Sequence, residues 1–293
     1  MKLVFSNDDF GLSFGFNEAI KDSFIKGTTT STSILANGKA YNNAVEIYKN
    51  HLKDIGIGIH LNLTDGKANV PELSDSYGDF NNTFLSLYHK IRSKSSLLKP
   101  IKIEFKKQIE KALNSGLPID HIDSDKHIHM IPPIFEVTCL CAKEFNIKHV
   151  RLTRENIYSV KPIRECFTFQ TIENIPKLII LNSFSKINFN TAIKHSISVP
   201  DAFYGVLYTN EMTDNKIISA LENAKRRSYN TVEILSHPGY IDDARDTSSI
   251  SPLMYKYSKL QARESEAKTT KSKKIFNYLK DNKIERVNFK QIS

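Results

Sequence analysis

The chain has 293 residues, 40% of them hydrophobic and 10% aromatic, which is enough to bury the core of one large α/β domain. No run of residues has the apolar length that spans a bilayer, and the first predicted strand begins so early that it leaves no room for a signal peptide. The formal net charge is +9, most of it from Lys256 onward, but residues 268–274 contain no aromatic side chain that could stack on a base, so we expect no nucleic-acid partner.

The first 63 residues alternate between strand patterns and helix patterns. The predicted elements are a strand at 3–9, a helix at 14–26, a strand at 28–35, a helix at 39–50 and a strand at 55–63. Strands that alternate with helices form parallel sheets covered by helices. The start of the chain therefore predicts an α/β fold with a parallel sheet.

The rest of the chain is less regular, but it repeats the same alternation. Residues 65–100 show little periodicity, and we interpret them as a long loop excursion from the carboxyl edge of the sheet. Residues 155–197 are ambiguous, since their apolar run has no clear period. The other predicted elements are helices at 101–114, 132–145, 213–227 and within 252–281, and strands at 118–125, 148–152, 198–204, 232–237 and 286–289. With no boundary between domains, the prediction is one domain over residues 1–293 with a barrel-like α/β fold.

The three cysteines indicate the compartment. Cys139, Cys141 and Cys166 form an odd set without a secretory signal, which is typical of reduced thiols and predicts a cytoplasmic protein. Cys139 and Cys141 lie two apart in a predicted helix, where side chains do not face each other. We interpret them as core residues rather than metal ligands.

The first strand ends in two adjacent carboxylates, Asp8 and Asp9. In parallel sheets and barrels, chemistry is found where strands end at their carboxyl edges. Neighbouring residues on an extended chain point in different directions, so one carboxylate could bind a metal while the other takes a proton from an activated water. The alternative is an Asp-rich turn that caps the helix after Gly11.

Three other reactive clusters end three other predicted strands. They are His60, the segment from His121 to His129, and His237. Within that segment His121, Asp123, Asp125, His127 and His129 all occupy odd positions, and on an extended chain they would face one side. Such a row is costly in an apolar core, so it predicts a metal site or a polar substrate pocket. The alternative is a polar loop that leaves the strand and caps the next helix.

Several motifs together resemble those of the YdjC-like carbohydrate deacetylases, a family that includes chitooligosaccharide deacetylases and the deacetylase associated with hopanoid synthesis. The motifs are Asn7-Asp8-Asp9-Phe10-Gly11-Leu12-Ser13, Thr30-Ser31-Thr32-Ser33, Gly58-Ile59-His60-Leu61-Asn62-Leu63-Thr64, His121-Ile122-Asp123-Ser124 with His127-Ile128-His129, and His237-Pro238-Gly239. They occur in order over most of the chain. The resemblance implies a distorted (β/α) barrel of about seven strands, similar to the polysaccharide deacetylases.

The resemblance also implies an activity and a set of site residues. The family removes N-acetyl groups from amino sugars with one divalent metal ion. Matched by motif, Asp8 is expected to be the catalytic base and His237 the general acid, while Asp9 and His60 are expected to bind the metal. We further expect His127, His129 and Arg151 to contact an N-acetylated sugar substrate. The resemblance is compatible with a homodimer.

One position departs from the family pattern. Where the family has its third histidine ligand, this chain has Asp125. With Asp9 and His60, Asp125 would form a site of two carboxylates and one imidazole, a set suited to Mg, Zn or Mn. Either Asp125 binds the metal with an altered preference, or His127 replaces it. A sugar-binding protein of the same fold without normal turnover is the alternative function.

Overall fold

The computed structural model describes residues 1–241, 256–257 and 260–292, and a parallel β-sheet is its central element. The strands are β1 (Lys2–Phe10), β2 (Ser31–Ile34), β3 (Gly56–Leu61), β4 (His121–Ser124), β5 (His149–Val150), β6 (Ala202–Tyr204), β7 (Thr231–Ser236) and β8 (Glu285–Arg286). Seven of them form a curled half-barrel in the order β5-β4-β3-β2-β1-β7-β6, and β8 pairs with the start of β1. The predicted distorted barrel of about seven strands is thus confirmed.

Helices cover the outside of the sheet. They are α1 (Phe14–Ile25), α2 (Tyr41–His51), α3 (Phe84–Ser93), α4 (Leu98–Asn114), α5 (Pro132–Glu144), α6 (Phe169–Lys194), α7 (Asp214–Arg226), α8 (Gln261–Thr269) and α9 (Lys273–Asp281). Several begin at a hydroxyl cap, such as Thr213, whose side chain accepts a hydrogen bond from the main chain of Lys216. Among the described residues, no helix combines the length and the hydrophobicity that a membrane crossing requires.

Two predictions need correction, and the structure resolves one ambiguous region. Residues 65–100 are not a loop throughout, because they contain α3 and the first turn of α4. The ambiguous region 155–197 contains the 26-residue helix α6, which was hidden because apolar side chains lie on both its buried and its exposed faces and Pro176 interrupts its pattern. The long helix expected within 252–281 is divided at Ser272, which caps α9, while residues 252–255 and 258–259 lie outside the described residues.

The inside of the half-barrel contains buried ionisable side chains, whereas its outer surface packs against the helices. Leu3 and Phe5 of β1 belong to the large apolar core on the helical side. On the inside, Arg151 contacts Asp8 of β1 and Glu233 of β7, two strands that lie across the curl from β5. The fold therefore brings ionisable side chains from distant parts of the sequence into one buried space.

Gly58 of β3 is required for the close packing of this interior. A methyl group at position 58 would lie 2.4 Å from the ring of His121, and that ring is stacked on Phe289 with centroids 4.0 Å apart. We therefore expect Gly58→Ala to lower the free energy of unfolding by about 1–3 kcal/mol. Urea denaturation followed by circular dichroism measures this loss, and an unchanged midpoint would contradict the packing argument.

Candidate metal centre and active site

The candidate site begins near the carboxyl end of β1. The pairing of β1 with β2 shifts register between Asn7 and Phe10, and Asp9 has a left-handed backbone with a φ of 72°. Aspartate tolerates this conformation better than most residues, and a bulge redirects side chains relative to the regular alternation of a strand. The two carboxylates are thereby separated: Asp8 contacts Arg151, and Asp9 approaches His60.

Asp9, His60 and Asp125 form the first potential metal-binding group. Each offers one ligand atom, these atoms lie within 4.8 Å of one another, and all three residues are buried. Nε2 of His60 is 3.6 Å from Oδ1 of Asp9. Burial raises the pKa of Asp9 to about 6, against the opposing effect of His60. Two carboxylates and one imidazole are a donor set that divalent cations such as Zn²⁺, Mn²⁺ and Mg²⁺ accept.

The orientation of His60 fits a metal ligand. Nδ1 of its ring lies 2.8 Å from Oδ1 of Asp123 and 3.0 Å from Oγ of Ser33, so this nitrogen is held by protein partners. The opposite nitrogen, Nε2, faces Asp9. Histidines that bind metals usually donate their other N–H to a carboxylate in this way, which fixes the ring and its tautomer. Burial by itself would lower the pKa of His60, but the carboxylates of Asp123 and Asp8 raise this pKa to about 10.

A second group of potential ligands, Asp8, His60 and Asp123, already has a cation beside it. The guanidinium of Arg151 donates to both carboxylate oxygens of Asp8 at 2.6 and 2.8 Å and lies 2.7 Å from Asp123. Its Nε donates to Glu233 at 2.8 Å. Because Arg151 supplies the positive charge that these carboxylates need, the first group is the better metal site.

Arg151 also sets the ionisation of Asp8. Burial would raise the pKa of this carboxyl group, but Arg151 and then His60 hold it well below its usual range. Asp8 is therefore always ionised near neutral pH. A carboxylate of this kind is a weak base, and it accepts a proton efficiently only from a water that has itself been made acidic.

Asp125, rather than His127, joins the other two potential ligands. Asp125 starts the turn after β4, accepts a hydrogen bond from Thr64 and lies 2.9 Å from the ammonium group of Lys126. His127 instead packs edge-on against Phe203, and its buried Nδ1 has no hydrogen-bond partner among the residues that the structure describes. The pairing of Asp125 with Lys126 does not remove Asp125 from the group, so a sugar-binding protein without a metal site is not favoured.

The expected row of five side chains on one extended face is wrong. The strand β4 ends at Ser124, and residues 125–130 form a 3-10 turn in which Lys126 and His127 have left-handed backbones. His121 points towards Phe289, away from the metal group. The chain therefore leaves the sheet in the middle of the cluster and sends its side chains to different places.

Two of the expected substrate contacts lie beneath the site. His129 is fully buried, with Nδ1 bonded to Ser124 and Nε2 3.0 Å from the carbonyl oxygen of Arg151. Arg151 is fully buried among carboxylates. Both predictions need correction, because neither side chain has a surface that a substrate could reach. Instead, His129 holds Ser124 and the main chain of Arg151 in place, and Arg151 holds Asp8.

His237 lies on the other wall of the site, directly after β7. Its main-chain N–H donates to Glu266 at 2.6 Å, its carbonyl oxygen accepts from Arg263 at 2.9 Å, and its ring meets Tyr257 edge-on. Burial and then Arg263 lower the pKa of His237 to about 3. The imidazole is therefore neutral at pH 7 and has to receive a proton before it can give one.

A cavity of ≈ 200 Å³ connects these groups. Its walls include the potential ligands, His127 and His237, together with side chains that the sequence did not suggest: Lys126, Lys177, Thr209, Asn210 and Tyr257. Tyr257 donates a hydrogen bond to Oδ2 of Asp9 at 2.8 Å, so it orients a potential ligand. Burial lowers the pKa of Lys177, against the effect of nearby Asp125. Neither Tyr257 nor Lys177 lies in a recognisable motif, and no signal in the sequence points to them.

Comparisons with known proteins identify the family and the fold of this chain. The model of a family described as YdjC-like protein matches residues 2–281. A carbohydrate deacetylase of Clostridium beijerinckii is 30% identical to this chain over 297 residues, and the alignment covers 100% of both chains. A chitooligosaccharide deacetylase of Proteus mirabilis is 28% identical over 246 residues, which cover 82% of each chain. A solved structure from Enterococcus faecalis, provisionally named a cellobiose-phosphate cleavage protein, superposes with a TM-score of 0.74 at 20% sequence identity. The superposition covers 100% of this chain and 98% of that chain, which shows a shared fold.

Proposed function

This chain belongs to the YdjC-like protein family, and we propose that it is a metal-dependent hydrolase that removes an N-acetyl group from an amino sugar or oligosaccharide. The names of its relatives, carbohydrate deacetylase and chitooligosaccharide deacetylase, supply the class of substrate. The observation that carries the proposal is the buried group of Asp9, His60 and Asp125, in which His60 is already oriented by Asp123.

We assign the metal to Asp9, His60 and Asp125. When bound there, a divalent cation supplies a Lewis acid for the acetamide carbonyl and acidifies water. The absence of thiolate ligands and the presence of two carboxylates favour Mg²⁺, Mn²⁺ or Zn²⁺ over softer ions. Tyr257, which donates a hydrogen bond to Oδ2 of Asp9, would keep this carboxylate oriented when the metal is held.

Asp8 is the proposed general base. Its two oxygens are fixed by Arg151, so the carboxylate keeps one orientation and is ionised before the reaction begins. It would remove a proton from the attacking water as the carbon–oxygen bond forms. The low pKa of Asp8 makes it dependent on an acidified water, which is consistent with the neighbouring metal group.

His237 is the proposed general acid. As a neutral imidazole in the resting protein, it would take up a proton released at Asp8 and pass it to the leaving amine. Burial makes its imidazolium a strong acid, which suits rapid donation. His127, the one expected substrate contact that lines the cavity, would face the sugar.

The compartment, the partners and the oligomeric state complete the proposal. We place the protein in the cytoplasm, where its cysteines stay reduced. Cys139 and Cys141 are buried free thiols whose pKa burial raises to about 12, so both are unreactive. The proposed partners are an N-acetylated sugar and, as a homodimer, a second copy of the chain.

The proposal is tested by assaying metal-stripped protein on N-acetylated chitooligosaccharides and monosaccharides, with Mg²⁺, Mn²⁺, Zn²⁺ or Co²⁺ added singly. We expect release of acetate with at least one metal and none without metal. Mass loss of one acetyl group from the sugar confirms the bond that is cleaved. If no metal restores acetate release from any sugar, the proposed activity is wrong.

The third ligand is tested separately by metal content. We expect Asp125→Ala to weaken metal binding, because it removes one of three protein ligands, and His127→Ala to retain the metal. Asp125→His should bind metal with a shift towards Zn²⁺, since imidazole prefers borderline ions. Elemental analysis after dialysis distinguishes the variants, with His51→Ala, an exposed change on α2, as the control. If His127→Ala loses the metal and Asp125→Ala keeps it, the two assignments must be exchanged.

A further inference from the structure

The helix α8 carries a buried arginine that contacts the candidate active site from behind. Arg263 is 0% exposed and lies beyond the last of the family motifs, which ends at Gly239. A guanidinium has five N–H donors in a rigid fork and no acceptor, so it can hold several oxygens in fixed relative positions. The oxygens that Arg263 contacts come from three separate segments: the carbonyl group of His237, the side chain of Asn210 and the hydroxyl of Tyr257.

The contact with Tyr257 decides where the hydroxyl proton of this tyrosine points. Nη1 of Arg263 donates to Oη of Tyr257 at 3.0 Å, so the hydroxyl oxygen is the acceptor in this pair. The hydroxyl has only one proton, which is left for its other neighbour, Oδ2 of Asp9, at 2.8 Å. The central carbon of the guanidinium also lies 4.7 Å from the centre of the Tyr257 ring. Arg263 therefore fixes the direction of the hydrogen bond to Asp9.

That hydrogen bond occupies one of the two oxygens of Asp9. The other oxygen, Oδ1, is 3.6 Å from Nε2 of His60, the ring nitrogen that faces the candidate metal centre. A ligand whose second oxygen is held by a hydrogen bond keeps its orientation, and groups that orient ligands in this way strengthen metal binding. Arg263 and Tyr257 thus act on the metal centre although neither belongs to the group of potential ligands.

The same helix holds the main chain of His237 on both sides. Nη1 of Arg263 donates to its carbonyl oxygen at 2.9 Å, and Glu266, one turn further along α8, accepts from its N–H at 2.6 Å. Glu266 is 1% exposed and lies 3.9 Å from the guanidinium, so the two opposite charges are buried together. One turn of helix therefore fixes both polar groups of the backbone that carries the imidazole.

We propose that Arg263 is a positioning residue that couples the metal centre, through Tyr257, to the general acid His237. The inference rests on the proposed function, because it takes Asp9 as a metal ligand and His237 as an acid. A substrate that must meet the metal and the proton donor together requires a constant separation between them. Arg263 has two branches towards this end: the Tyr257 hydroxyl acts on metal binding, and the His237 carbonyl acts on proton donation.

The first branch is tested by calorimetric titration of the metal-stripped chain with Zn²⁺ or Mn²⁺, without substrate. We expect Tyr257→Phe and Arg263→Lys each to weaken metal binding about tenfold, a usual cost of losing a group that orients a ligand. Lysine keeps the charge but loses the fork. The double variant should bind metal no more weakly than Tyr257→Phe, because Arg263 acts through that hydroxyl. Arg286→Lys is the matched control, since Arg286 also donates to a main-chain oxygen and lies over an aromatic ring, but on β8.

Parent affinity in either single variant overturns the proposal, and so do losses that multiply in the double variant. Tyr257→Phe removes only a hydroxyl, so its result does not depend on whether Arg263→Lys folds. A parent that binds neither metal overturns both this inference and the proposed function. A parent that binds metal but releases no acetate from any sugar refutes the proposed activity alone, because the affinities are measured without substrate.

The second branch is tested by turnover at saturating metal. We expect Arg263→Lys to have a kcat about tenfold below that of Tyr257→Phe at a similar KM, because only the arginine variant releases the carbonyl oxygen of His237. The double variant should match Arg263→Lys in kcat. Equal kcat values for the two single variants would show that Arg263 does not act on His237, and the proposed coupling would be wrong.

Discussion

Asp8→Asn is expected to reduce kcat/KM on an N-acetylated sugar by about 10²–10⁴-fold, the usual cost of losing a general base. The amide is close in size to the carboxylate but cannot accept the proton. It still offers one oxygen to Arg151, so the interior should stay assembled. The metal group of Asp9, His60 and Asp125 does not include this side chain, and metal content should match that of the parent.

The measurement compares acetate release with metal content and with the unfolding midpoint of the same preparations. Asp54→Asn is the control, because this aspartate is exposed and lies outside the cavity. Activity within about threefold of the parent would remove Asp8 from the role of base. Loss of the metal together with activity would show instead that Asp8 is a ligand.

Arg151→Leu is expected to lower the free energy of unfolding by about 3–5 kcal/mol, or to prevent folding, because it removes a buried cation that contacts three buried carboxylates. These are Asp8, Asp123 and Glu233, none of which is more than 2% exposed. Without Arg151 the three carboxylates, of which Asp8 and Asp123 keep His60 nearby, must be protonated or remain incompletely neutralised. Both outcomes cost free energy in a space that water does not reach.

Urea unfolding of the metal-free protein gives this value, with Arg154→Leu as the control. Arg154 lies three residues further on, is only partly buried and bonds a main-chain oxygen of Asp201, so its loss should cost no more than about 1 kcal/mol. Arg151→Lys keeps a positive charge but loses the planar guanidinium that contacts several carboxylates. Its free energy of unfolding should lie between those of Arg151→Leu and Arg154→Leu. Equal stability of the Arg151 and Arg154 variants would contradict the proposed network.

The sequence predicted those parts of the site that lie at strand ends. Asp8, His60 and His237 come directly at or after buried apolar runs, and alternation of strands with helices is enough to place such residues at one edge of a parallel sheet. The resemblance to the YdjC-like family, matched motif by motif, predicted that Asp125 could join Asp9 and His60. Local patterns thus located the cavity before any contact was known.

Local patterns failed where the backbone departs from its regular path. The extended strand that would place five side chains on one face ends at Ser124. Lys126 and His127 then adopt left-handed backbone conformations, and their residue types alone do not predict such a turn. Tyr257 reaches Asp9 across 248 positions, a distance over which no spacing carries information. Arg151 is a similar case, because its partners come from three different strands.

The order of strands has a consequence for synthesis on the ribosome. β1 pairs with β7 from Lys2, which lies opposite Thr231, to Asn7, which lies opposite Ser236. Chains grow at about 5–20 residues per second, so β1 waits on the order of ten seconds for this partner. Until then Asp8 and Asp9 belong to an incomplete sheet edge, and Arg151 lacks Glu233 of β7. The catalytic edge, which begins the sequence, is therefore among the last regions of the molecule to be completed.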